Sequence, residues 1–209
     1  MLGTLHELEY WVYKKRRLLY SGKQKCNSYL KNWANLLSAW FQATTKTIVL
    51  EDGTSVSLGY YERKSDWCNG GSIYGEFGLL LNAGDNDATY GLVVGRGTTP
   101  VSESDYKLAD KYPHGSGGGY LDYDITKISD VVSEDGKLKI SVERAFYNDY
   151  GDSQDITEVG LMVFWKAELP DYGKQYYKFL IMRDVLDNVL TIPAYATAVV
   201  RYNIYFLVG

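Results

Sequence analysis

The sequence predicts a mainly β protein: an antiparallel β-sandwich or jelly-roll-like domain over residues 46–209, preceded by an N-terminal helical segment over residues 1–45. Three observations predict it. Apolar residues recur at three- and four-residue spacing before Thr45 and at two-residue spacing after it. Turn signals rich in Asn, Asp, Gly and Pro divide the second part into about eight to ten short segments. Those segments do not alternate with helical patterns, as a parallel sheet with crossover helices requires.

Taken in order, Leu5 to Leu19 reads as a first helix with Leu8, Trp11, Leu18 and Leu19 as anchors, broken at Ser21-Gly22-Lys23. Tyr29, Leu30, Trp33, Leu36, Leu37, Trp40 and Phe41 then form one stripe of a second helix. Asn27 or Ser28 caps it through a side-chain oxygen. Thr47–Leu50 and Thr54–Tyr60 flank Asp52-Gly53, a hairpin signal, because glycine supplies the positive φ of a tight turn. Further strands are expected at 73–81, 90–94, 120–126, 137–146, 155–165, 176–182, 189–192 and 196–208. Leu138, Ile140 and Val142 share one face, as do Ala198, Val200, Tyr202, Ile204, Phe206 and Val208. Turns are expected at 69–71, 82–85, 134–136, 149–152 and 170–173. Gly95 to Gly119 is a long irregular stretch, of the kind that is functional or ordered by a partner.

Composition narrows the function classes. Of 209 residues, 23% are charged and 45% apolar, which argues against a disordered tail. No apolar run is long enough for a transmembrane helix, and the acidic start, with Glu7 and Glu9, lacks the pattern of a signal peptide. The net charge of −4 speaks against nucleic acid. Lys14-Lys15-Arg16-Arg17 is the one basic run that could touch it, and four such residues also suit a solvated helical turn. Cys26 and Cys68 can pair or not, and spacing does not decide it.

Chemistry-bearing motifs are few. Gly95-Arg96-Gly97-Thr98-Thr99-Pro100 and His114 to Gly119 resemble phosphate loops only in glycine content; neither has the Gly-Lys-Ser/Thr or the following helix. Asp85-Asn86-Asp87 has calcium-like spacing, but Tyr90 and Arg96 stand where an EF-hand needs glycine and glutamate. Asp149, Asp152 and Asp155 read as acidic loop residues. His6 and His114 lack a nucleophile or metal-helix neighbourhood. Glu143 and Glu158 are a conceivable carboxylate pair, though acids on adjacent strands are commonly surface residues. No catalytic residue, metal or cofactor is expected. Tyrosine, with 20 residues, is the informative excess. It suits protein–protein contact, sugar stacking, or plain strand propensity, and these readings stay open.

One resemblance adds to this. Gly91 to Ser102 with Asp105-Tyr106-Lys107-Leu108, then Ile156 to Leu161, Phe179 to Leu186 and Thr191-Ile192-Pro193-Ala194, form ordered phrases. Together with Asn27 to Trp33, they resemble small structural proteins of tailed phages and related viruses. Tyr195 and Ala196 depart from the glycine usual after the Pro-Ala phrase. The resemblance implies a virion protein, made in the host cytoplasm without a signal peptide. Its implied partners are copies of itself and other virion proteins on a capsid, collar or tail, without a membrane. The contact residues expected on this reading are Trp33, Trp40, Arg96, Thr98, Thr99, Tyr106, Arg183 and Asp184. A carbohydrate-binding sandwich, for receptor binding, is the alternative.

Overall fold

The computed structural model describes residues 6–26, 29–59, 77–169 and 173–207. They form a mainly β, sandwich-like fold with antiparallel sheets. The strands are β1 (His6–Lys14), β2 (Arg17–Cys26), β3 (Thr45–Val49), β4 (Ser55–Gly59), β5 (Phe77–Leu80), β6 (Gly91–Gly95) and β7 (Asp122–Tyr123). They continue with β8 (Lys127–Ile128), β9 (Val132–Glu134), β10 (Lys137–Asn148), β11 (Gln154–Leu169), β12 (Gly173–Ile192) and β13 (Ala196–Leu207). The helix is α1 (Lys31–Phe41). A seven-stranded sheet runs β2-β1-β13-β10-β7, with β8 and β9 also on β10. A four-stranded sheet runs β12-β11-β5, with β6 on β11, and β3–β4 is a separate hairpin.

The expected first helix is instead the hairpin β1–β2. Along β1, His6, Leu8, Tyr10 and Val12 are buried and alternate with half-exposed residues, a period of two. Lys15 (φ 49°) and Arg16 (φ 66°) both take left-handed backbone, the requirement of a two-residue type I′ turn. That turn normally holds Asn-Gly, so nothing in Lys15-Arg16 announces it. The basic run Lys14 to Arg17 therefore caps a hairpin and is no helical face. Gly22, read as a break, lies inside β2, where a Cβ would collide with the Tyr10 ring. β1 pairs with β13 from His6↔Ile204 to Tyr13↔Thr197, so no domain boundary falls at residue 45. α1 stands where the stripe placed it. Leu30 precedes it without a side-chain cap; Asn27 and Ser28 lie outside the described residues.

The remaining strands match the expected ones with three changes. Segments 176–182 and 189–192 merge into β12; 120–126 shrinks to β7; β8 and β9 are additional. β12 absorbs irregularities against β11 between Glu158 and Ile156 and between Leu161 and Met162. Beside the second, Leu30 N–H donates to Ile181 O (2.9 Å) and Asn32 Nδ2 to Leu180 O (3.2 Å), which docks α1 on β12. Beside the first, Gln24 of β2 bonds Val185 O and the Asp187 N–H, while Tyr20 bonds Thr191 O. Those bonds close one side of the sandwich.

The core lies between the two larger sheets. It joins Leu8, Val12, Val142, Phe146, Ala198 and Val200 to Ile156, Leu161, Val163, Trp165 and Met182. Arg144, only 1% exposed, ties down the other side. It donates to the carbonyls of Gly84, Asp87, Tyr90, Leu92 and Asp124 and lies 4.8 Å over the Tyr123 ring. Cys26 is a free, buried thiol; burial, then the adjacent Asp184 carboxylate, keeps it protonated. Cys68 lies outside the described residues.

Two outcomes follow from these strands. Replacing Lys15-Arg16 by Asn-Gly relieves the left-handed strain, and urea denaturation should show about 1–2 kcal/mol more stability at unchanged m. His6 is 1% exposed, its ring edge-on to Tyr29, and neither ring nitrogen has a hydrogen-bond partner among the described residues. Burial lowers its pKa below 6.5, so below that pH the unfolded chain takes a proton that the folded chain refuses. Stability should fall as pH drops from about 6.5, and His6→Phe should remove that component in melts between pH 7 and pH 5.

Candidate functional site

Residues from three of the ordered phrases meet at one buried carboxylate. Glu158 on β11 and Arg183 on β12 project from the same side of the four-stranded sheet, since Glu158 opposes Val185 and Gly160 opposes Arg183. Side chains one position away, such as Asp184, face the seven-stranded sheet, where Tyr202 donates to Asp184 (2.8 Å). Glu158 is fully buried. It accepts the N–H groups of Gly97 (3.0 Å), Ala109 (3.0 Å) and Asp110 (2.7 Å), and Arg183 Nε (2.9 Å). Arg183 also binds Asp105 (2.7 Å) and Thr99 O (3.0 Å).

This arrangement explains the glycines. A Cβ at Gly95 or Gly97 would collide with the Glu158 carboxylate, and one at Gly160 would sit 2.9 Å from Leu108 and Leu180. Gly95-Arg96-Gly97 thus belongs to an anion cradle, but the anion is the chain's own glutamate. Burial opposes the Arg183 charge, yet the hydrogen bonds of Asp105 and Glu158 outweigh it and raise the guanidinium pKa. The network fastens residues 97–110 onto the sheet, and Glu158 has no exposed oxygen with which to work on a substrate.

The expected contact residues separate accordingly. Arg183 (2% exposed) and Asp184 (5%) are buried, so they do not form a surface contact; their charges hold the loop and the Tyr202 hydroxyl. Trp33 and Trp40 are half-buried and pack on the core, Trp33 stacked on Tyr29. Thr98 and Thr99 are exposed at the loop tip. Arg96 is exposed, forks onto Asp110 (2.9 and 3.0 Å) and covers the Tyr112 ring. Tyr106 is half-buried, with Lys107 over its ring. Glu158, read as a surface acid, is the residue sequence reasoning missed; only its place in the phrase Ile156 to Leu161 signalled it.

The other candidates resolve as local structure. Asp87 caps its own turn through Thr89 N–H (2.8 Å), which leaves the calcium-like spacing a turn. His114 lies 3.7 Å from Asp122 in an open cleft of about 430 Å³ that also includes Asp85, Asn86 and Asp124. No group of His, Cys, Asp or Glu among the described residues has metal-binding geometry. Glu143 is paired with Arg201 (2.9 Å) on the seven-stranded sheet, whereas Glu158 belongs to the four-stranded one. Among the described residues no helix is long and apolar enough to cross a membrane.

Tyrosine occupies buried, half-buried and exposed places. Tyr10, Tyr112, Tyr123 and Tyr202 are buried; Tyr123 donates to Tyr112 O (2.8 Å) and Tyr112 to Asp155 O (2.9 Å). Burial raises the pKa of both hydroxyls, which stay protonated donors. Tyr120, Tyr147, Tyr150, Tyr176 and Tyr195 are exposed.

No family model, curated protein or solved structure matches the chain.

Glu158→Gln removes the charge that compensates Arg183 and should cost about 3–5 kcal/mol in guanidinium denaturation. Asp110→Asn, which breaks only the exposed pair with Arg96, should cost under about 1 kcal/mol.

Proposed function

We propose that this chain is a virion structural subunit, held in its particle by protein–protein contacts with copies of itself and with neighbouring virion proteins. One observation carries the assembly part. At one end of the seven-stranded sheet, residues on the face that elsewhere forms the core are exposed. Leu138 pairs with Phe206, Ile140 with Ile204, and Ile128 with the buried Val142, so all share the inner face. Yet Ile128 is 46%, Leu138 37% and Phe206 44% exposed. Val131, beside β9, is exposed as well, whereas Val132 opposes Lys139 and belongs to the other face.

An exposed aliphatic patch on a rigid sheet is the surface that an assembled subunit buries. Symmetry multiplies one modest patch into a closed ring or an extended array. The short edge strand β9 pairs only with β10 among the described residues, so a neighbouring strand can extend it. The virion setting rests on the resemblance of the ordered phrases, three of which supply Gly97, Thr99, Asp105, Glu158 and Arg183 to one network.

Sedimentation and light scattering of the purified chain should show concentration-dependent association, and Leu138→Asp with Phe206→Asp should leave a folded monomer. A wild-type chain that stays monomeric at high concentration and is absent from purified particles would overturn the proposal.

A further inference from the structure

A second surface of different chemistry lies where β10 ends and β11 and β13 begin. Tyr195 occupies the turn between β12 and β13, closed by Ala196 N–H on Pro193 O (3.1 Å), with φ at 57°. Left-handed backbone is costly for a bulky side chain, and glycine or asparagine normally takes it. Tyr195 recovers nothing by burial, since it is 57% exposed. Folding does not account for a tyrosine there, whereas a binding surface does.

Two more exposed rings lie on turns joined to this one by hydrogen bonds. Tyr150 (39% exposed) is backed by Gly118, whose Cβ would lie 3.3 Å from the ring; Tyr120 (43%) is backed by Gly115, at 2.9 Å. The Tyr195 hydroxyl comes within 3.7 Å of the Cβ position of Gly151. Tyr120 and Tyr150 thus rest on glycine positions on one side and meet solvent on another, while Tyr195 reaches Gly151 through its hydroxyl alone.

Two buried amides hold the turns that carry these rings. Asn148, fully buried, donates to Asp152 O (2.9 Å), Ile192 O (2.9 Å) and Pro193 O (3.2 Å), and accepts Tyr150 N–H (3.0 Å). Gln154, 7% exposed, donates to Gly117 O (3.1 Å) and accepts Gly119 N–H (3.3 Å). Asp149 accepts Gly117 N–H (3.2 Å) and links the two sets. The platform is built in advance, so a ligand does not have to order it.

We infer that Tyr120, Tyr150 and Tyr195 form a binding surface for a neutral oligosaccharide. The turns that carry the rings are rich in glycine, serine and aspartate, and although Pro193 and Ala194 stand beside Tyr195, residues 115–120, 149–153 and 193–195 include no Leu, Ile or Val of a protein-interface core. Flat rings present the apolar faces that stack on the C–H face of a pyranose, and the hydroxyls and carboxylates between them bond its hydroxyl groups. Asp149 and Asp152 disfavour an anionic sugar, and the nearby Arg96 is already engaged by Asp110. This site is separate in residues from the apolar patch at Leu138 and Phe206, which lacks its tyrosine hydroxyls and carboxylates.

The test uses the full chain with maltohexaose, cellohexaose and chitohexaose, followed by saturation-transfer NMR and calorimetric titration. At least one of the three should bind, with tyrosine signals perturbed. Tyr195→Gly should weaken that binding at least about tenfold (the loss of one stacked ring) while raising the melting temperature by about 2–4 °C. Tyr150→Ala should weaken it similarly. Tyr176→Ala, at the other end of the β11–β12 ladder, should leave it unchanged. The inference is overturned if none of the three binds, if binding survives in the Tyr195→Gly, Tyr150→Ala double variant, or if that variant loses self-association instead. Loss of association in the Leu138, Phe206 variant with sugar binding intact separates the two surfaces.

Discussion

The structure depends on one buried carboxylate. Glu158 sits in the four-stranded sheet with no access to water, and an unpaired charge there would be prohibitive. Three backbone N–H groups from a distant loop and the Arg183 guanidinium satisfy it, and Arg183 is in turn completed by Asp105 and a carbonyl. Each partner is acceptable only because the others are in place. A loop of some length, without a core of its own, thereby acquires one conformation. Arg144 does the same work on the other side of the sandwich, with backbone carbonyls in place of carboxylates; burial lowers its pKa, and the ordered carbonyls keep the charge solvated. Two inward-pointing arginines therefore replace the regular strands that the sheets lack at those places.

With the interior ions spent on architecture, the surfaces left for function differ in kind. One is apolar and lies on the sandwich's own inner face, where Ile128, Leu138 and Phe206 are exposed. The other is aromatic, carried on glycine turns and held from below by Asn148 and Gln154. The tyrosine excess serves both halves of this design. Buried rings such as Tyr112, Tyr123 and Tyr202 fill volume and direct a hydroxyl at a single acceptor, while exposed ones offer area at small entropic cost.

Much of the fold was legible because strands after Thr45 alternate strongly and their turns carry Asp-Gly and Asn-rich signals. The second helix was legible for the same reason, from the stripe Leu30, Trp33, Leu36, Leu37 and Trp40. The hairpin β1–β2 was not. Its turn residues, Lys15 and Arg16, adopt positive φ without the glycine that marks it, and β2 is largely exposed, so its faces barely differ in polarity. Gly22 was read as a break because a glycine in a strand and one between helices look alike until Tyr10 is found lying across it. Glu158 and Arg183 were misjudged because charged residues are ordinarily outside, and their partners lie 61 and 78 positions away in Gly97 and Asp105.

The sequence by itself determined the fold class, the helix, most of the strands and the surplus of tyrosine, since these follow from periodicity and local turn chemistry. Only the tertiary structure decided which charges are interior, which tyrosines are exposed, and where the core face runs out. Those properties depend on contacts between segments far apart in the chain, and a one-dimensional pattern carries no distance between them. The exposed Tyr195 shows the difference: the sequence marks it only as a departure from glycine after Pro193-Ala194, and the structure adds its left-handed backbone and its exposure.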